Sequence, residues 1–250
     1  SATAAPDLAG KRLLGSTPLR QAPLAQGLFL LQLETTPPLT FPVTCQGNDE
    51  LRFRFSLDQV PAGMTLVPRN EADPGDRVEN FCLDRKKITC RTLDPLIADW
   101  KRPQGFPLFE TLKRDWIFRW ERLPATGGIS WTDATLLSLG TPDGEIPCRL
   151  PRLEELEKLR RTFPAPSGPP CSAWSCYGLE ELDQDPPEWA GPFTGKQGQV
   201  YQLAATPFLA PAELLDRGFA FRRARTLVPL ETLASATPPS QEDLDQASPG

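Results

Sequence analysis

Residues 79–100, ENFCLDRKKITCRTLDPLIADW, place two kinds of element side by side. ENFCLDRKKIT (79–89) reads as a strand. LDPLIADW (93–100) reads as a short helix, with Pro95 in its first turn, where a missing N–H costs no intrahelical bond. A strand that runs directly into a helix sets the expected class as α+β, and the sequence on either side repeats both kinds.

Downstream, SWTDATLLSLG (130–140) offers Ser130 as an N-cap with Asp133 three residues on, then an apolar face and Gly140 as a stop. RLEELEKLRRTF (152–163) sets Leu153, Leu156 and Leu159 on one helical face and charges on the other. In DWIFRWERL (115–123), Trp116, Phe118 and Trp120 alternate with Ile117, Arg119 and Glu121, as in a strand with an aromatic core face. GQVYQLAAT (198–206) and GFAFRRARTLV (218–228) are the last strand candidates. Upstream, GLFLLQLE (27–34), TFPVTCQ (40–46) and ELRFRFSL (50–57) read as three short strands, the last with Leu51, Phe53, Phe55 and Leu57 alternating with polar residues. The expected organisation is a lead-in over 1–22, a small β module over 23–58, a larger α+β domain over 59–230 and a disordered tail over 231–250.

Composition narrows the function. The 250 residues include 18 Gly and 29 Pro, a loop-forming share that disfavours a helical bundle. The net charge of −5 is the wrong sign for a chain built to neutralise phosphates, so nucleic acid is not an expected partner. There is no histidine. Ser-His-Asp and Cys-His nucleophile systems are therefore excluded, as are metal sites that need imidazole. The longest apolar run, GLFLLQL, falls far short of the ~20 residues that span a bilayer. The chain begins at Ser1 with Met64 as its single methionine, and is read as a processed protein or an excised segment.

Six cysteines, at 45, 82, 90, 148, 171 and 176, lack the paired spacing of a zinc site and leave structural disulfides and buried thiols both open. Cys171 and Cys176 are close enough in sequence to form a disulfide across a short Pro-rich loop. An even count is compatible with disulfides in an oxidising compartment, and a periplasmic or extracytoplasmic setting is the expectation over the cytoplasm.

Taken in order, several segments resemble the formylglycine-generating-enzyme, or sulfatase-modifying-factor, domain family. VPAGMTLVP (60–68) is similar to the family's opening, and FCLDRKKITCRTLDPLIADW (81–100) to its "yIDryEVTnaqYaaF" strand and helix. GGISWTDA (127–134) resembles "VSWxDA", and CRLPRLEELEKL (148–159) resembles "RLPTEAEWE". YGLEELDQDPPEW (177–189) is similar to "GLYDMxGNVWEW", with Gly178, Leu179, Glu188 and Trp189 in register. GFAFRRAR (218–225) resembles the closing "GFRlaR" strand. The resemblance spans about residues 60–228 and implies a C-type-lectin-like fold of irregular, twisted sheets and two helices. The first region is loosely similar to the small β modules of the PEGA type.

Family members that oxidise a substrate cysteine need two copper-binding thiols just before the closing strand, and the segment from Gln199 to Gly218 contains none. Related iron-dependent oxidases need histidines, which are absent. The resemblance therefore implies a non-catalytic module that binds a protein partner or small ligand in a bacterial signalling, kinase-linked or secretion-linked system. Two alternatives stay open: a thiol- and copper-dependent oxidase using Cys171 and Cys176, and a variable ligand-display protein. Asp185 stands where the family has the Asn of its "GNV" turn, so a structural calcium there would rest on Asp183 and Asp185. Between Trp189 and Leu215 only Lys196 and Glu213 are charged. Trp189, Phe193, Tyr201 and Phe208 are the expected partner-binding aromatics, with a core role as the competing reading.

Overall fold

The computed structural model describes residues 24–47, 50–89, 92–93, 129–140, 147–162, 176–180, 187–194, 197–201, 208–212 and 219–228. The expected strand at 115–123, most of the helix at 93–100, the lead-in and the tail lie outside them. Helix and strand both occur, so the class is α+β.

Strands β1 (Gly27–Leu33) and β2 (Leu39–Cys45) form an antiparallel hairpin whose register runs unbroken from Gly27 opposite Cys45 to Leu33 opposite Leu39. Leu39, Phe41 and Val43 are buried on one face of β2, as in a half-buried strand, and Pro42 between them is buried too. A second sheet places β4 (Phe81–Asp84) between β3 (Met64–Val67) and β9 (Ala224–Thr226), all antiparallel. The third has the order β7 (Phe208–Pro211), β6 (Gln197–Tyr201), β5 (Glu188–Thr194) and β8 (Ala220–Phe221), with β5 and β8 parallel. Residues 220–226 thus serve two sheets in turn, β8 in one and β9 in the other.

Helix α1 (Trp131–Ser138) begins where the sequence marks it: Ser130 Oγ accepts from the Asp133 N–H at 3.0 Å and donates to Asp133 Oδ2 at 2.9 Å. Helix α2 (Leu153–Thr162) is closed at its first turn by Glu155, whose Oε2 accepts the Arg152 N–H at 2.8 Å, the return half of a capping box. Its buried stripe, Leu156 and Leu159, packs in one cluster with Phe41 and Val43 of β2, Phe81 of β4 and Tyr177. The core therefore runs across the boundary expected near residue 58.

The expected strand at 50–57 is corrected by the structure. Its residues form no ladder, and a single 3-10 turn follows at Leu57–Gln59. The alternation is nevertheless real. Leu51, Phe53 and Phe55 pack against the core while Arg52 and Arg54 are exposed. The backbone finds other partners: Arg52 N–H donates to Asn70 Oδ1, Arg52 O accepts from Glu71 N–H, and Arg54 O accepts from Asn80 Nδ2. Two asparagine side chains and the Glu71 N–H, all from 70–80, replace the neighbouring strand.

Candidate functional site

The third sheet and α1 are fastened by two tryptophans. Trp131 Nε1 donates to Ala190 O at 2.9 Å, and Trp189 Nε1 donates to Ile129 O. Trp189 is wholly buried, with its ring centroid 4.5 Å from that of Phe219. It belongs to the core, which corrects its place among the expected partner-facing aromatics. A glycine lets the layers meet, because a Cβ on Gly198 would lie 2.5 Å from Trp131 Cγ and Cδ1.

On the other side of β5 lies a buried charged junction. Arg222, which follows β8, is fully buried, and its Nε faces both oxygens of Glu188 at 3.2 and 3.1 Å. Its other nitrogens donate to Asp84 O, Arg85 O and Glu180 O. Lys87 Nζ stands 3.5 Å from Glu188 Oε1. The next residue, Arg223, grips Asp84 with two side-chain bonds (Nε to Oδ2 at 2.9 Å, Nη2 to Oδ1 at 3.1 Å), while Asp84 Oδ2 also accepts the Arg223 N–H at 2.8 Å. Neighbouring arginines thus point to opposite faces of the closing segment, as extended backbone dictates, and each meets its own carboxylate.

Beside this junction Arg149 donates to both Glu155 oxygens and to Thr226 Oγ1, tying α2 to β9. Cys82 pairs with Arg225 across β4 and β9, and the Arg149–Ala224 bridge brings Cys148 to the other side of Arg225. Both thiols are reduced and buried. Burial pushes the Cys82 thiol up to about 12, and pushes Cys148 up too, with nearby arginines opposing in each case. Neither is poised as a nucleophile.

Of the remaining site candidates, Phe193, Tyr201 and Phe208 fall on β5, β6 and β7. Cys171, Asp183 and Asp185 lie outside the described residues. Cys176 is buried, and Leu30 packs against it. Among the described residues no three Cys, Asp or Glu side chains converge as metal ligands. No described helix is long and apolar enough to cross a membrane. Leu209 of β7, 54% exposed, is the most open large apolar side chain described. The sequence marks Glu188, Trp189 and the closing strand as motif residues, but gives no sign that Lys87 and Asp84 join them.

No family model, curated protein or solved structure matches the chain.

Proposed function

We propose that the chain is a non-catalytic binding module built on a formylglycine-generating-enzyme-like, C-type-lectin-related scaffold, serving a bacterial signalling, kinase-linked or secretion-linked system through a protein partner or small ligand. The carrying observation is how the ionisable groups are used. Glu188 with Arg222 and Lys87, and Asp84 with Arg223, are all buried, and each is engaged by another member of the group. A general acid or base must reach its substrate. These groups instead fix the closing strand.

The segments that carry the resemblance also meet there, which supports the scaffold reading. Glu188 of YGLEELDQDPPEW bonds Arg222 of GFAFRRAR, and Arg149 of CRLPRLEELEKL bridges to Ala224. Within the charge-poor stretch from Trp189 to Leu215, Leu209 of the edge strand β7 is exposed and is the point offered to a partner.

The test is incubation with a cysteine-containing sulfatase-type peptide, Cu(I) and oxygen, followed by mass spectrometry. An unchanged peptide thiol is expected. Conversion to the aldehyde would overturn the non-catalytic reading in favour of an oxidase using Cys171 and Cys176.

A further inference from the structure

Among the described residues, strand β1, GLFLLQL, is an edge without the usual protection against strand pairing. Among the described residues it pairs only with β2. It has seven residues, no charge and no proline, and its register carries no bulge. The other edges differ. All four residues of β3 are buried, β7 is four residues long and ends in Pro211, and Phe221 of β8 is bridged by Ile88. Natural sheets blunt an exposed edge with charge, proline, a bulge or a cover, because its unpaired N–H and C=O groups template another strand. On β1 the side chains of Phe29, Leu30, Leu31 and Leu33 are only half buried, and Gln32 is exposed.

We infer that β1 pairs with β1 of a second copy of this chain, antiparallel about a two-fold axis, extending the hairpin into a continuous four-stranded sheet. The two-fold that overlaps all seven residues passes through Leu30. Leu30 then falls opposite its own copy and Phe29 opposite Leu31, so apolar cross-strand pairs form at the centre of the seam, with positions 28 and 32 in register on either side. Charge is compatible with this register. The nearest acid, Glu34, falls opposite the uncharged Gln26, and the two Glu34 carboxylates stand at opposite ends, eight residues or about 27 Å apart along the strands. Self-pairing therefore brings no like charges together. One strand seam is smaller than a standard interface, so the dimer is weak and concentration-dependent.

Sedimentation velocity of the 250-residue chain over a wide concentration range tests this, with hydrogen exchange of the β1 amides read at both extremes. A monomer–dimer equilibrium is expected, with exchange at 28–32 slower in the concentrated sample. Gln32→Lys adds an edge charge at an exposed position, applied twice by the two-fold. It should weaken dimerisation roughly tenfold while leaving the melting temperature of the dilute protein unchanged. Gln32→Asn should dimerise as the parent does. A monomer at every concentration, a dimer indifferent to Gln32→Lys, or β1 amides whose exchange ignores concentration would each overturn the inference. So would pairing of β1 with a foreign strand but not with itself.

Discussion

Trp131 and Trp189 are reciprocal: each indole N–H donates to a backbone carbonyl one or two residues from the other, Trp131 to Ala190 O and Trp189 to Ile129 O. The start of α1 and the start of β5 are thereby clamped at two points, 59 and 60 residues apart in sequence. Trp131→Phe keeps most of the ring but leaves Ala190 O without that donor. Loss of about 1–3 kcal/mol in urea unfolding is expected. Trp189→Phe should cost a similar amount. Because both bonds hold the same two segments, the double variant should lose less than the sum of the singles.

Gly198 tests the same contact from the opposite side. Gly198→Ala places a methyl 2.5 Å from the Trp131 ring, so the helix or β6 has to shift. The expected loss is about 1–3 kcal/mol, as for overpacking a well-filled core. In the Trp131→Gly background, which removes both the ring and the Cβ that would lie 2.6 Å away, Gly198→Ala should cost clearly less. A full cost there would mean that the glycine is not needed for the close approach of Trp131.

What the sequence discloses follows from the range of each interaction. The two complete helices were legible because caps and apolar stripes are local: Ser130 with Asp133, and Leu156 with Leu159. The β1–β2 hairpin was legible for the same reason. The alternation at 50–57 correctly sorted buried from exposed side chains, but it carries no information about which group satisfies the backbone, and Asn70 and Asn80 take that part. Strand β5 contains Gly191 and Pro192 and shows no strand period; it exists because β6 and β8 flank it. The buried junction was half visible. Motif order singled out Glu188 and the closing arginines, while Arg223 meets Asp84 across 139 residues, a distance at which no periodicity can speak.

Breaking the Glu188–Arg222 pair should be costly. Arg222 is fully buried, so Glu188→Gln leaves its charge without its carboxylate, and Arg222→Met leaves Glu188 with Lys87 as its cation among the described residues. Each single variant should lose about 3–5 kcal/mol, the usual consequence of stranding a buried charge. The double variant should lose clearly less than the two added together. Strict additivity in a denaturant double-mutant cycle would show that the pair is not coupled.

Lys158 pins α2 to the 68–78 segment, donating to Pro68 O at 2.8 Å and Asp76 Oδ2 at 2.9 Å. Burial lowers its pKa below the ordinary 10.5, and Asp76 only partly opposes this. Between the lowered folded value and 10.5 the unfolded chain holds a proton that the folded chain has released, so stability rises with pH in that window. Below the window this contribution is flat. Lys158→Met should abolish the rise, read as the difference between parent and variant melting temperatures across the alkaline range.

Cys82 predicts the opposite slope. Burial raises its folded pKa to about 12, against 9.0 for an ordinary thiol. The thiol is protonated in both states below 9.0, so its stabilising contribution is complete there; above it the unfolded chain ionises first, and the contribution is lost progressively as pH climbs towards 12. Three pH units correspond to about 4 kcal/mol at most once both states have ionised. Cys82→Ala should therefore flatten part of the alkaline loss, while its small cavity lowers stability at every pH. The thiol gives an independent reading. In the folded protein Cys82 should resist iodoacetamide at pH 9 and react only at the rate of global unfolding, because the thiolate is the nucleophile and both its formation and its access require opening. Rapid alkylation of Cys82 under conditions where the fold is intact would contradict both its burial and the alkaline slope assigned to it.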